Sequence, residues 1–190
     1  VNQPELQAQM FGVIGKVYLK IGNVSKSKSL IDKSVDIYTR IYGTDHPETA
    51  LAIASQALVQ SSLGNYSEAE SLYDYALGIL EDHSGAYLNK YTDSINEQGY
   101  VLRRQGKYEE AEKVFRKNYN LLRDQHGELN AKVVAALNGV GVTQFNRGNY
   151  ERAENIFREV LQKRIQIYGE THPDIAESKN SLGALLMNLG

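Results

Sequence analysis

Cysteine is absent from all 190 residues, which removes disulfides, thiolate zinc sites and cysteine nucleophiles together and leaves the redox compartment open. Proline is scarce at three residues, so long uninterrupted helices are permitted. No apolar run reaches the roughly 18 residues that a membrane-spanning helix needs, and a membrane is not an expected partner. Excess charge of one sign is missing too: 21 Lys+Arg stand against 23 Asp+Glu, for a net charge of −2. The broad basic field behind non-specific nucleic-acid binding is therefore lacking, which argues against DNA or RNA as the main partner. Val1-Asn2-Gln3-Pro4 has neither the charged nor the apolar region of a signal peptide, so an intracellular, cytoplasmic setting is the expectation, although no residue fixes a compartment. The missing initiator Met suggests a piece of something longer. What remains is an ordinary globular composition, 42% hydrophobic, long enough to bury a continuous core.

What the chain does have is a period. Gly22, Gly64, Gly106, Gly148 and Gly190 are spaced 42 residues apart, and Gly43, Gly85, Gly127 and Gly169 keep the same step. A third series is small rather than strictly glycine: Gly15, Ala57, Gly99, Gly141 and Gly183. Between them apolar residues recur at three and four, as in Phe11, Ile14, Tyr18 and Ile21, or Ala69, Tyr73, Ala76 and Leu77, which marks amphipathic helices. Each repeat reads as helix A (89–105, for example), a tight turn, helix B (108–125), and a longer turn through the second glycine. Thr44-Asp45-His46-Pro47 and Thr171-His172-Pro173 supply helix-starting chemistry, with a capping side chain before Pro near the first helical position.

Phe11-x2-Ile14-Gly15-x2-Tyr18 resembles the W-x2-L-G-x2-Y half of a tetratricopeptide repeat. Ala69-x3-Tyr73, Ala111-x3-Phe115 and Ala153-x3-Phe157 are similar to its A-x3-F half, and Ser27-x3-Ile31 is a degenerate first copy. The length of 42, with Gly43-x-x-His46-Pro47 and Gly169-x-x-His172-Pro173 between repeats, resembles the kinesin-light-chain type. The connectors at Gly85-Ala86-Tyr87-Leu88-Asn89 and Gly127-Glu128-Leu129-Asn130-Ala131 lack His-Pro. The resemblance implies an all-α, right-handed α-solenoid of antiparallel helix pairs. We expect one array over 1–190: repeats at 5–41, 47–83, 89–125 and 130–167, then a lone helix A at 173–190, about nine helices in all. Because the array stops mid-repeat, the parent is expected to continue. Leu182, Leu186 and Leu189 would then lack a covering helix and promote weak self-association through this helix.

No constellation for catalysis is present. His46, His83, His126 and His172 show no metal-ligand spacing and read as connector residues. Gly12-Val13-Ile14-Gly15-Lys16 departs from phosphate-loop spacing and falls inside a helix, where its amides are already bonded. No G-x-S-x-G elbow exists. No enzyme activity, cofactor or metal is expected. The sequons at Asn23 and Asn65 fall in the A–B turn, which favours Asn and Ser on conformational grounds. Tyr66, Tyr108 and Tyr150 share one slot after the turn glycine, and read as turn packing.

If Phe11, Ile14, Gly15 and Tyr18 pack, the free stripe of helix A runs through 9, 12, 16, 19 and 20 and recurs every 42 residues. It carries Lys16, Lys20, Arg103 and Arg104 against Asp93 and Glu177, a net positive face on a net negative chain, with Leu58, Tyr100, Val142 and Phe145 interleaved. Asn96, Asn138 and Asn180 share one slot, and Asn146 and Asn188 share another. An Asn amide both donates and accepts, so it suits the backbone of an extended peptide. It could equally bond the next helix. In kinesin-light-chain-like repeats, asparagines of an L-N-x-x-[GA] segment line the cargo groove. The resemblance implies that role for Asn96 in Ile95-Asn96-x-x-Gly99 and Asn138 in Leu137-Asn138-x-x-Gly141, while Lys179-Asn180-x-x-Gly183 departs by a lysine. The expected function is a protein-interaction scaffold or adaptor whose groove takes an acidic peptide with apolar anchors. The alternative is a sensor or self-assembly segment of a larger signalling protein, such as a signal-transducing ATPase with its catalytic domain elsewhere.

Overall fold

The structure, a computed structural model, describes residues 3–189. Val1, Asn2, Gly190 and the side chain of Leu189 lie outside what is described. Among the described residues there are nine helices and no strand: α1 (Gln3–Lys20), α2 (Val24–Tyr42), α3 (Pro47–Ser62), α4 (Tyr66–Asp82), α5 (Ser84–Arg104), α6 (Tyr108–His126), α7 (Ala131–Asn146), α8 (Tyr150–Tyr168) and α9 (Pro173–Leu189). Odd-numbered helices are the A members and even-numbered ones the B members.

Turn chemistry explains most of these boundaries. Gly43, Gly127 and Gly169 have φ of 85°, 76° and 78°, a left-handed conformation that lets each amide close back on the carbonyl of Thr39, Arg123 or Ile165. Gly85 departs from its series: it lies inside α5, which begins at Ser84 rather than near 89. With no proline and no Asx cap in Gly85-Ala86-Tyr87-Leu88, helix formation continues almost at once, and the His83 carbonyl accepts from the Ala86 and Tyr87 amides, each at 3.2 Å.

The chain falls into two compact units, residues up to Val101 and residues from Leu102. In the first, α1 packs on α2, α2 on α3 and α3 on α4, with a further contact between α1 and α3. Ala8, Tyr38 and Ala52 form one shared core, and the Ser34 hydroxyl donates to the Ala8 carbonyl at 2.8 Å. In the second unit α7 packs on both α6 and α8, and α8 on α9. Its cores join Leu122 to Val133 and Ala136, Val160 to Val134 and Leu137, and Phe157 to Leu182 and Leu185.

The small-residue slots are steric in origin. A Cβ on Gly15 would stand 2.8 Å from Ile31, and one on Gly141 would stand 2.8 Å from Phe157, so helix A meets its own helix B there at backbone distance. Gly139 is a small slot that the sequence period did not reveal: its Cβ would stand 2.6 Å from Phe115 of the preceding helix B. At Gly183 a Cβ would meet nothing within 4 Å, because no helix follows α9 among the described residues.

Candidate functional site

The connector histidines act through their rings. His46 precedes Pro47 and its Nδ1 accepts from the Glu48 amide at 3.2 Å, capping α3 while its ring stacks on Tyr42 with centroids 4.2 Å apart. His172 repeats the arrangement, accepting from the Asp174 amide and stacking on Tyr168 at 4.2 Å. Turn asparagines are occupied as well. The Asn23 side chain accepts from the Lys26 amide at 3.1 Å, while Asn65 and Asn149 donate to Gln60 and Gln144 at 3.0 and 2.8 Å. Tyr150 packs tilted on Phe145, 5.6 Å between centroids. Among the described residues no cluster of three or more His, Asp or Glu stands close enough to hold a metal ion.

In the first unit the A helices bring charge together. Lys16 is open to solvent yet has protein on several sides, and that partial burial pushes its ammonium below the usual lysine range. Lys90 on α5 pushes the same way and Asp93 on α5 opposes it. Charges on α1 and α5 therefore feel one another past the intervening α3. Lys90 is a residue that sequence reasoning missed, because helix A was expected to start at 89. With α5 starting at Ser84, Lys90 stands in its second turn, 3.7 Å from Glu48 on α3 and over the ring of Tyr87 at 5.5 Å. Burial followed by the Glu48 charge raises the Tyr87 hydroxyl above its usual range, and burial followed by Glu48 and Glu5 pushes the Tyr38 hydroxyl up to about 12. Burial, with Asp93 beside it, raises the Glu97 carboxyl above its usual range.

Of the expected groove residues in this unit, Lys20 is exposed, and Leu58, Asn96 and Tyr100 are half-buried. Tyr100 already has a partner in the chain. The Asn96 amide has no hydrogen-bond partner among the described residues. In the second unit, Arg103 is half-buried and partnered, and Arg104, Asn146 and Asn180 are exposed. Asn138 is half-buried and likewise without a hydrogen-bond partner among the described residues. Val142 and Phe145 differ from expectation. Both are half-buried against the core that Ala153 and Phe157 of α8 form with Leu182 and Leu185 of α9. Asn146 borders an open depression with Tyr108, Glu110 and Arg147. There Arg147 bridges Glu109 at 3.1 Å and Glu112 at 2.8 Å.

The tetratricopeptide repeat profile matches residues 6–82 and 91–164. The chain belongs to the tetratricopeptide repeat family. Members of this family are generally protein-interaction scaffolds without catalysis of their own, and they bind proteins or peptides. Solved structures agree on the fold. BtubC (BKLC) from P. vanneervenii superposes with a TM-score of 0.83 at 20% identity, over 97% of this chain and 73% of that one. The putative kinesin light chain with nearly identical TPR-like repeats from Podosopora anserina, solved both as such and with a single substitution, superposes with a TM-score of 0.83 at 15% identity, over 98% of this chain and 88% of that one. No curated protein matches at the sequence level. Among the described residues no helix is long and apolar enough to cross a membrane.

Proposed function

We propose that this tetratricopeptide repeat chain is an adaptor module that takes an acidic, extended segment of a partner protein along its A helices. The observation that supports this most is the electrostatic coupling of Lys16 on α1 with Lys90 and Asp93 on α5. Coupling over that span is what a shared polar surface on the A helices of the first unit would produce, one on which Lys16, Lys20 and Lys90 stand among Glu48, Asp93 and Glu97. Desolvating a lysine raises its gain on meeting a carboxylate. Leu58 and Tyr100 offer partly open apolar surface between the charges for an anchor side chain. Asn96 lies one turn before Tyr100 with its amide unspent, free to pair with a peptide backbone. Asn138 holds the same repeat slot in the second unit, and its amide is equally unspent.

The test is fluorescence anisotropy with a labelled peptide that alternates Asp or Glu with Leu. Affinity should fall as salt rises, because the lysines are reachable by counter-ions. Lys16→Glu combined with Lys90→Glu should weaken binding by at least about tenfold, and Asn96→Ala should weaken it without changing the salt slope. Unaltered binding by the double reversal would place the site on another face.

A further inference from the structure

The turns from helix A to helix B carry one asparagine slot, held by Asn23, Asn65 and Asn149 and by Lys107 in the third repeat, and the asparagines are used in two ways. Asn23 caps α2, its Oδ1 accepting from the Lys26 amide at 3.1 Å. Asn65 and Asn149 turn instead to a buried glutamine of the preceding helix. They donate to Oε1 of Gln60 at 3.0 Å and to Oε1 of Gln144 at 2.8 Å, and no side chain caps α4 or α8. With its oxygen held, Gln60 donates through Nε2 to the Glu68 carboxylate in the first turn of α4, at 2.6 Å.

Gln144 has the same bond on its oxygen, which aims its Nε2 at the corresponding place in the first turn of α8. There Arg152 stands in the slot of Glu68, and the acceptor is missing. Gln144 is fully buried, and its Nε2 has no hydrogen-bond partner among the described residues. Two more donors stand at this place. The Arg152 amide belongs to the uncapped first turn of a 19-residue helix, an end that favours negative charge. The Arg152 guanidinium is exposed and makes no hydrogen bond or ion pair with the described residues. Of the nearby carboxylates, Glu154 is held by Arg158 at 2.7 Å, while Glu151 is exposed and opposes an incoming anion. The other B helices lack this combination: Tyr18 and Leu102 take the slot of Gln144 ahead of α2 and α6, and α4 supplies its own Glu68.

We propose that the first turn of α8 is a binding site for a carboxylate, in which the ligand takes the part that Glu68 plays in the second repeat. One carboxylate oxygen accepts from Gln144 Nε2, and the Arg152 amide and guanidinium serve the other. Glu68 is itself exposed, so the place its carboxylate fills is at the surface and within reach of a group from solution. Because Glu151 offsets the charge of Arg152, recognition rests on directed donors rather than on a basic field, and a planar carboxylate matches a place that a glutamate side chain fills in the second repeat. The site shares no residue with the A-helix surface proposed above, so failure of either proposal leaves the other standing.

Heteronuclear NMR of the intact chain reads the Gln144 side-chain amide and the backbone amide of residue 152 during titration at constant ionic strength. The probes are sodium acetate, acetyl-Gly-Glu-Gly-amide and acetyl-Gly-Gly-Gly with a free C-terminus, with chloride as control. Saturable shifts of both amides are expected with carboxylate and not with chloride, and the tightest probe tells a free acid, a side chain or a chain terminus apart. Arg152→Met should weaken binding by at least about tenfold, the loss of a charged hydrogen bond. Arg152→Glu, which copies the second repeat, should abolish it by supplying the acceptor from within the chain. Gln144→Leu, which copies Leu102 of the third repeat, should abolish it while the rest of the spectrum stays folded. No saturable shift, or undiminished binding by Arg152→Glu, would overturn the assignment. So would a lower melting midpoint of Arg152→Met in carboxylate-free buffer, because the guanidinium would then be spent on Gln144 itself.

Discussion

Gly141 and Gly183 occupy the same repeat slot but face different surroundings, so a single methyl group separates them. At Gly141 the new Cβ would press on Phe157 and Ile156, at 2.8 and 2.9 Å, and at Gly183 it would meet open space. Gly141→Ala should therefore cost about 1–3 kcal/mol through overpacking. Gly183→Ala should instead stabilise by roughly 0.5–1 kcal/mol, since alanine restricts the unfolded chain and favours helix. Urea unfolding of the two variants side by side checks the sign of each. His46 offers a second test at this scale. Its ring caps α3 and stacks on Tyr42, so His46→Ala should lose about 1 kcal/mol of cap energy, and His46→Asn should recover most of that by thermal melting. The recurrence of the His-Pro slot is legible in the sequence. Which ring nitrogen accepts, and the stacking partner four residues upstream, are not.

At the scale of the element, α9 is less bare than its position in the repeat suggested. Leu182 is buried beside Leu185 and Phe157 rather than left uncovered, so Leu186 and Met187 are its exposed large apolar residues among those described. Arg164 of α8, itself buried, donates to the Asp174 carbonyl at 3.0 Å and to the Ser178 hydroxyl at 2.8 Å, pinning the first turns of α9. No sequence signal marked Arg164, because its slot holds Tyr38, Leu80 and Leu122 in the other B helices. Removing the guanidinium should cost on the order of 1.5–3 kcal/mol, the range for hydrogen bonds to a charged group. In a linear array that loss stays local. Arg164→Met should thus speed amide exchange across residues 173–180 while leaving α7 as protected as before, and equal acceleration in both helices would contradict it.

For the whole chain, acid is the expected weakness. Burial pushes the Glu112 carboxyl up, but hydrogen bonds and charge from Arg116 and Arg147 outweigh this and hold it below the usual glutamate range. Hydrogen bonding and charge from Lys163 do the same for Glu128. Each carboxyl therefore ionises at lower pH when folded than when unfolded. The stability they confer is complete above the ordinary glutamate value of about 4.3 and is lost as pH falls through the folded values. Glu112→Gln should lower stability at neutral pH and flatten its decline on the acid side, as read from denaturation midpoints between about pH 7 and pH 3. Because Arg116 is exposed, added salt should shrink the difference.

The 42-residue period, the helix pairs, the turn glycines and the family were legible in the sequence because each depends on contacts close along the chain or on one slot repeated several times. Where the third connector lacked proline, local propensity carried α5 back to Ser84, and that shift placed Lys90 where the sequence reading had no groove residue. Val142 and Phe145 looked free by the spacing of one helix, and only the stacking of α8 and α9 shows them half-buried against a shared core. Asn96 and Asn138 share a slot in the sequence, yet whether their amides are spent on a neighbouring helix depends on distances that no spacing encodes. The bare face of α1 is the clearest case. Ile14 reads as a packing residue of helix A, yet it is 39% exposed beside the still more exposed Met10, Val13 and Val17, and only the three-dimensional stacking shows that no described helix covers them, since burial is a property of neighbours and not of a residue.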